Sequence, residues 1–279
     1  MRTNKKYGIK SLFICAAAAF LAAVLLCSCT DRSISGGDDT DSDMTVGEIN
    51  PDYGKVRAED RDDGVLRVLI DPGHGFGDVG CQSPYGFDEK DLTIVYANIL
   101  REKLEDAGAG VYMTHDGESF PSASEIARRA DDLGIVYDRE KLVDNNVFSA
   151  YERSVWENVT DAEKHIDLFI SLHINSIENA PECSGFSIDW YEANPQAASL
   201  EKFAADLGKR LEDEYSKEVR LFSDSLKDAY IVNKYTNTPS VLVELGYATN
   251  SEDAADMQNP AWQKNVCATI ADVIVDCFG

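Results

Sequence analysis

Four residues have the types and placement to do chemistry together. His74 stands between two glycines in RVLIDPGHG (67–75), just past an apolar run. Glu89 follows fifteen residues later, His173 closes on the end of the apolar run DLFISLHI (167–174), and Glu244 interrupts SVLVEL (240–245). Two histidines and one glutamate make the ligand set of a catalytic zinc site that keeps a fourth position open for water. An ionised carboxylate inside an apolar run is costly to bury without a partner. Beside an activated water, the raised pKa of such a group suits a general base. Each residue alone has an ordinary explanation. A strand histidine can be a satisfied core residue, a glutamate at a helix start answers the macrodipole, and Glu244 could pair with Lys227 or Lys234. The metal reading rests on the set.

The elements that must position this set alternate along the chain. Apolar runs at 66–70, 110–114, 167–174, 185–191 and 240–245 predict strands. Leu92, Val95, Tyr96, Ile99 and Leu104 fall near one face of a helix over 92–104, with Asp88 placed to cap it and Gly108 after its end. Further helices are predicted over 197–215 and 262–278. Such alternation predicts an α/β fold: a single domain with a mostly parallel twisted sheet flanked by helices on both faces. Parallel strands bring their carboxyl ends to one edge, so His74 and His173 would face one crevice, with Glu89 opening the helix beside it. The segment 116–164 is less regular, with a charged helical piece, SEIARRADDLG, and a second helix over 148–164. Connections this long are often functional.

Composition narrows the setting. The 279 residues carry 50 Asp and Glu against 26 Lys and Arg, a formal charge of −24. No basic face is available for a phosphate backbone, which argues against nucleic acid as a partner. The amino end differs from the rest: Arg2, Lys5, Lys6 and Lys10 precede an uninterrupted apolar run over 12–27. That run is short of the roughly 20 residues of a spanning helix and reads as an export signal. Its end, Leu26-Cys27-Ser28-Cys29, resembles a bacterial lipobox, which makes residues 1–28 a lipoprotein signal peptide and Cys29 the lipidated residue on a membrane. Losing that signal removes four positive charges and takes the formal charge to −28. Residues 29–63, rich in Asp, Ser and Gly, bury too little to fold and are expected to form a solvated acidic tether. The folded domain is expected over 64–279. Its cysteines are Cys81, Cys183, Cys267 and Cys277. Export permits disulfides, but spacing does not give the pairing. Cys267 and Cys277 are not expected to pair: ten residues along a helix is about 15 Å, beyond the ~7 Å a disulfide spans.

DPGHG, the glutamate of DEKDL, SLHINS and SVLVELGYATN, in that order, resemble the zinc-dependent N-acetylmuramoyl-L-alanine amidases of the type with an open α/β catalytic domain. The resemblance covers about residues 66–278. It implies one Zn2+ held by His74, Glu89 and His173, with Glu244 as catalytic acid and base. It implies cleavage of the amide between N-acetylmuramic acid and the L-alanine of the stem peptide, with peptidoglycan as partner and an extracytoplasmic location. Arg153 with Asn158 five residues on, and Asn175 two residues past the second zinc histidine, also recur in the family. Arg153 and Asn175 are candidate substrate contacts, with a structural role the alternative for each. The chain departs from the family pattern at Glu157, where alanine is common, at Cys81, where a small residue is usual, and at 116–150, which reads as an insertion. In some relatives an extra helix in this region blocks the zinc until a partner moves it, so a protein activator is expected if the insertion gates the site. Three competing readings use the same residues: another zinc hydrolase of wall amides (peptidase or deacetylase), a metal-free glycosidase with Glu89 and Glu244 as paired carboxylates, and a non-catalytic wall-binding module.

Overall fold

Apolar runs flanked by turn residues become the strands of a six-stranded sheet. A computed structural model describes residues 63–225 and 229–279. The signal segment, Cys29 and nearly all of the tether lie outside the described residues, as does Lys227. The strands are β1 (Arg67–Pro72), β4 (Gly110–Met113), β5 (Leu168–Asn175), β6 (Phe186–Tyr191), β7 (Val219–Asp224) and β8 (Ser240–Tyr247), in the order β4-β1-β5-β8-β6-β7. The β4-β1, β1-β5, β5-β8 and β6-β7 pairs are parallel, whereas β6 runs antiparallel to β8. The sheet is therefore mostly parallel, as expected. A small antiparallel hairpin, β2 (Gln82–Ser83) with β3 (Phe87–Asp88), stands apart.

The sheet's two faces differ. On one, Val68, Ile70, Leu168, Ile170, Leu172, Val241, Val243 and Leu245 form a continuous apolar layer. It is covered by α1 (Glu89–Asp106), α4 (Ala197–Tyr215) and α7 (Pro260–Phe278), with Leu92, Tyr96, Leu100 and Leu104 of α1 at the three-to-four spacing of one helical face. On the other, Leu69, Phe169 and Leu242 pack with Val232 beneath α3 (Ala150–Lys164) and the short α5 (Ile231–Lys234). Further along the same strands this second face turns polar: Asp71, Ser171, His173 and Glu244 follow at alternate positions toward the carboxyl ends. Among the described residues no helix is long and apolar enough to cross a membrane.

One sequence expectation shifts in detail. Asp88 does occupy the N-cap position of α1, but its side chain makes no capping bond. Its Oδ1 accepts from Gln82 Nε2 at 3.0 Å, and the Glu89 N–H donates to the Cys81 carbonyl at 2.9 Å, so the hairpin starts the helix. The segment 116–150 folds into α2 (Ala123–Leu133), a 3-10 turn at Arg139–Lys141, and a return into α3. Its Ile126 and Ala130 pack with Phe148, Tyr151, Val155 and Tyr235 in a cluster of their own. A last helix, α6 (Ser251–Met257), precedes α7. Cys81, Cys267 and Cys277 are free thiols, so Cys267 and Cys277 do not pair, as their spacing requires.

Candidate metal centre

β1 and β5 run side by side in register, with Pro72 opposite Leu172, and the Gly73 N–H donates to the Leu172 carbonyl at 2.8 Å. From that point β1's chain leaves the sheet and β5 delivers His173. Gly73 is glycine because His173 lies against it: a Cβ there would stand 2.6 Å from the imidazole. His74 then takes a left-handed backbone, φ +62°. A non-glycine residue there carries a cost of about 1–2 kcal/mol and must be held. Several groups hold it. The Arg153 guanidinium donates to the His74 carbonyl, Thr93 Oγ1 donates to the Gly73 carbonyl at 2.7 Å, and Gly75 and Asp78 exchange backbone hydrogen bonds.

Glu89 sits between the two imidazoles. Its Oε2 lies 3.2 Å from His74 Nε2 and its Oε1 lies 3.1 Å from His173 Nδ1. The backbone N–H groups of Cys81 and Ile174 also donate to it, at 2.9 and 2.8 Å. Ligand atoms of His74, Glu89 and His173 all fall within 4.8 Å of one another. Zinc bonds of about 2.0–2.2 Å to nitrogen and oxygen place tetrahedral ligand atoms roughly 3.3 Å apart, so the spacing fits. The charge fits as well. Burial disfavours a charged His74, yet hydrogen bonds and negative charge from Asp78 and Glu89 outweigh it and push the imidazole up to about 10. Burial would raise Glu89, but its bonds to His173 and His74 hold it well below the ordinary carboxylate range. This pocket is built to hold positive charge. A Cβ on Gly80, φ +67°, would come within 2.6 Å of both Glu89 Oε2 and the His74 ring, which is why the loop needs glycine there.

Asp78 is the residue that sequence reading missed. Its Oδ2 lies 2.7 Å from His74 Nδ1, leaving Nε2 for the Glu89 side. A carboxylate on the far nitrogen fixes tautomer and ring direction in metal-binding histidines. Its signal in the sequence was an acid four residues past the glycine-flanked histidine.

Glu244 stands opposite His173 in the β5-β8 register and opposite Ser187 across the antiparallel junction. It is 5% exposed. Its Oε1 accepts from the Tyr230 hydroxyl at 3.5 Å, while Oε2 is buried with no hydrogen-bond partner among the described residues. Burial first, then the nearby charges of Glu89 and Asp189, push its pKa well above the ordinary value.

Arg153 does not face the crevice. It is 3% exposed, and its guanidinium bonds to Asp71 Oδ1 at 2.7 Å, the Pro72 carbonyl at 2.8 Å and the His74 carbonyl, while Nε reaches the Phe148 carbonyl at 2.8 Å. The substrate role considered for Arg153 gives way to the structural alternative, because those bonds aim the guanidinium into the fold. It balances Asp71, which Thr114 and Ser171 also bond, at 2.6 and 2.7 Å. Burial would raise Asp71, but the Arg153 charge keeps it low. Asn158 is structural too, tying α3 to the Tyr235 carbonyl and the Asn237 N–H at 2.8 and 2.7 Å. Asn175 is half-buried at the end of β5, and its Oδ1 accepts the Ser176 N–H at 2.8 Å. The Cys81 thiol turns to the Ile174 carbonyl at 3.5 Å. Burial and the Glu89 charge push its pKa up, away from the thiolate that binds zinc. His115 Nε2 donates to the Pro72 carbonyl, 2.9 Å away, behind the loop.

A family model described as N-acetylmuramoyl-L-alanine amidase matches residues 68–276. The germination-specific N-acetylmuramoyl-L-alanine amidase of Bacillus subtilis is 28% identical over 216 residues, covering 76% of this chain and 79% of that one. N-acetylmuramoyl-L-alanine amidase LytC of the same organism is 25% identical over 211 residues, and the match covers 76% of this chain but only 35% of LytC. Among solved structures, an N-acetylmuramoyl-L-alanine amidase from Clostridium difficile 630 shares the fold with a TM-score of 0.58 at 18% identity, over 77% of this chain and 97% of that one.

Proposed function

The chain belongs to the N-acetylmuramoyl-L-alanine amidase family, and we propose that it cleaves the amide joining N-acetylmuramic acid to the L-alanine of the peptidoglycan stem peptide, with Glu244 as general base and acid. The observation that carries the mechanism is the pairing of a preformed His74–Glu89–His173 set with a buried, pKa-raised carboxylate one strand away. His74 through Nε2, His173 through Nδ1 and Glu89 would hold a zinc ion. The chemistry such an ion supplies is activation of water and polarisation of a carbonyl.

The chain's own residues then do the following. Asp78 keeps the His74 ring turned toward Glu89. Glu244 takes a proton from the water as its oxygen bonds to the amide carbonyl carbon. The same carboxyl returns that proton to the departing nitrogen as the C–N bond breaks, and the water's second proton passes from the new lactyl carboxyl to the amine, freeing an L-alanine ammonium and a lactyl carboxylate. A carboxyl whose pKa is raised by burial suits both transfers. The glycosidase reading loses support here: Glu89 is engaged by two imidazoles and two backbone N–H groups.

Export and a lipid anchor on Cys29 are proposed from residues 1–29, and place the enzyme where peptidoglycan lies. Incorporation of labelled fatty acid into the wild-type chain but not into Cys29→Ala is the expected result. For the metal, chelation is expected to abolish amide cleavage and one equivalent of Zn2+ to restore it. Full activity after exhaustive chelation would overturn the zinc reading.

A further inference from the structure

Glu244 has two oxygens, and a base must present one while the other is held. We propose that Tyr230 is the positioning residue that makes this choice: its hydroxyl anchors Oε1 and leaves Oε2 as the oxygen that exchanges the proton. This rests on Glu244 being the base of the amidase reaction.

The geometry supports it at both ends. Tyr230 Oη donates to Glu244 Oε1 at 3.5 Å, and Oε2 is the oxygen without a hydrogen-bond partner among the described residues. Hydrogen bonds around catalytic groups are commonly long before substrate binds and tighten in the complex. The residue that carries this hydroxyl is held in place by its surroundings. The Tyr230 ring packs against the Leu69, Phe169 and Leu242 cluster, and its carbonyl accepts the Asn233 and Lys234 N–H groups at 3.0 and 2.9 Å. The α5 turn that follows is tied to the sheet, with Asn233 Nδ2 donating to the Asp189 carbonyl at 3.0 Å and Ser240 Oγ to the Asn233 carbonyl at 3.3 Å. It is also tied to α3, through Ser154 Oγ and the Ile231 carbonyl at 3.3 Å. Tyr230 is itself half-buried. The terminal torsion of a glutamate is broad, and a single donor on one oxygen is what narrows it. Among the described residues Tyr230 is the hydrogen-bond partner of the Glu244 side chain.

Tyr230→Phe removes the hydroxyl and keeps the ring. With a soluble muramyl peptide as substrate, kcat is expected to fall about tenfold, the rate equivalent of one such hydrogen bond, with KM, zinc content and melting temperature unchanged. In a Glu244→Asp background, where the shortened acid no longer reaches the hydroxyl, Tyr230→Phe is expected to cost less than twofold. An unchanged kcat overturns the proposal. So does an equal loss in both backgrounds, which would place the hydroxyl's action elsewhere, and so does a loss confined to melting temperature, which would make Tyr230 a packing residue. A wild-type protein that leaves the muramyl amide intact would instead refute the amidase reading on which the proposal stands.

Discussion

His74 and His173 meet the same glutamate by different means. His173 comes on a strand whose backbone is already bonded on both sides, and Glu244 comes on the next strand in register with it. Their directions follow from the alternation of β structure. His74 comes on a loop in a left-handed conformation, held by Arg153, Thr93 and Asp78. One half of the centre is thus set by the sheet and the other by a few buried polar contacts. One helix serves both. On α3, Arg153 grips the loop half, while Glu157 and Asn158 grip the segment at 237–238 that leads into β8. The loop half is therefore where substitutions away from the chemistry should reach the metal.

The largest expected effect lies in the strand half and is purely chemical. Glu244→Ala should lower kcat by roughly a thousandfold or more, within the range of general acid–base catalysis, while zinc content and thermal unfolding stay at wild-type values. A substantial loss of stability would mean that the sheet does not set this half alone. Next comes the loop half. Arg153→Met leaves Asp71 buried without its counter-ion, a change that costs about 3–5 kcal/mol. Urea unfolding should register that loss together with weakened zinc binding, whereas a stability loss with zinc affinity intact would separate the loop's grip from the metal. Smaller still, Asp78→Asn should weaken zinc binding about 10–100-fold, as such outer partners do, with little change in unfolding because Asp78 is partly exposed. Competition with a chromophoric chelator measures this directly.

The smallest effect concerns the support of the strand half. Burial first, and the neighbouring Asp161 second, push Glu157 up to about 8. The fold favours its protonated form, so the stability it contributes is full below its unfolded value near 4.5 and is lost as pH rises through about 8. Thermal unfolding of the wild type should weaken across that window, and Glu157→Gln should flatten the dependence. A variant with the same pH slope as wild type would show that Glu157 is not the group responsible.

What the sequence made legible follows the same division. Strand positions read well because burial on both faces leaves an apolar run that a polar residue visibly interrupts, as at His173 and Glu244. The helices at 197–215 and 262–278 stand where periodicity placed them, within two residues. The loop half read poorly. Asp78 leaves only a weak local mark, an acid four residues past His74, and the inward direction of Arg153 depends on a contact across 79 residues that no local pattern encodes. The hairpin at 82–88 and the edge strand β7 were not visible, the first because its strands are two residues each, the second because it is only partly buried. The antiparallel entry of β6 leaves no local mark either, since an apolar strand looks alike in both directions.

The same split bears on the segment at 116–150. It packs behind the loop half, with Phe120 against Phe76 at 4.4 Å between ring centroids and the Asn146 carbonyl accepting the Gly77 N–H at 2.7 Å. Those contacts tie the segment to the loop that carries His74.

The most direct test of the account is mass spectrometry of purified peptidoglycan digested by the wild-type protein and by Glu244→Ala. Intact stem peptides with a free L-alanine amine are expected from the wild type and none from the variant. New sugar reducing ends, cleavage within the stem peptide, or the same products from both proteins would contradict it.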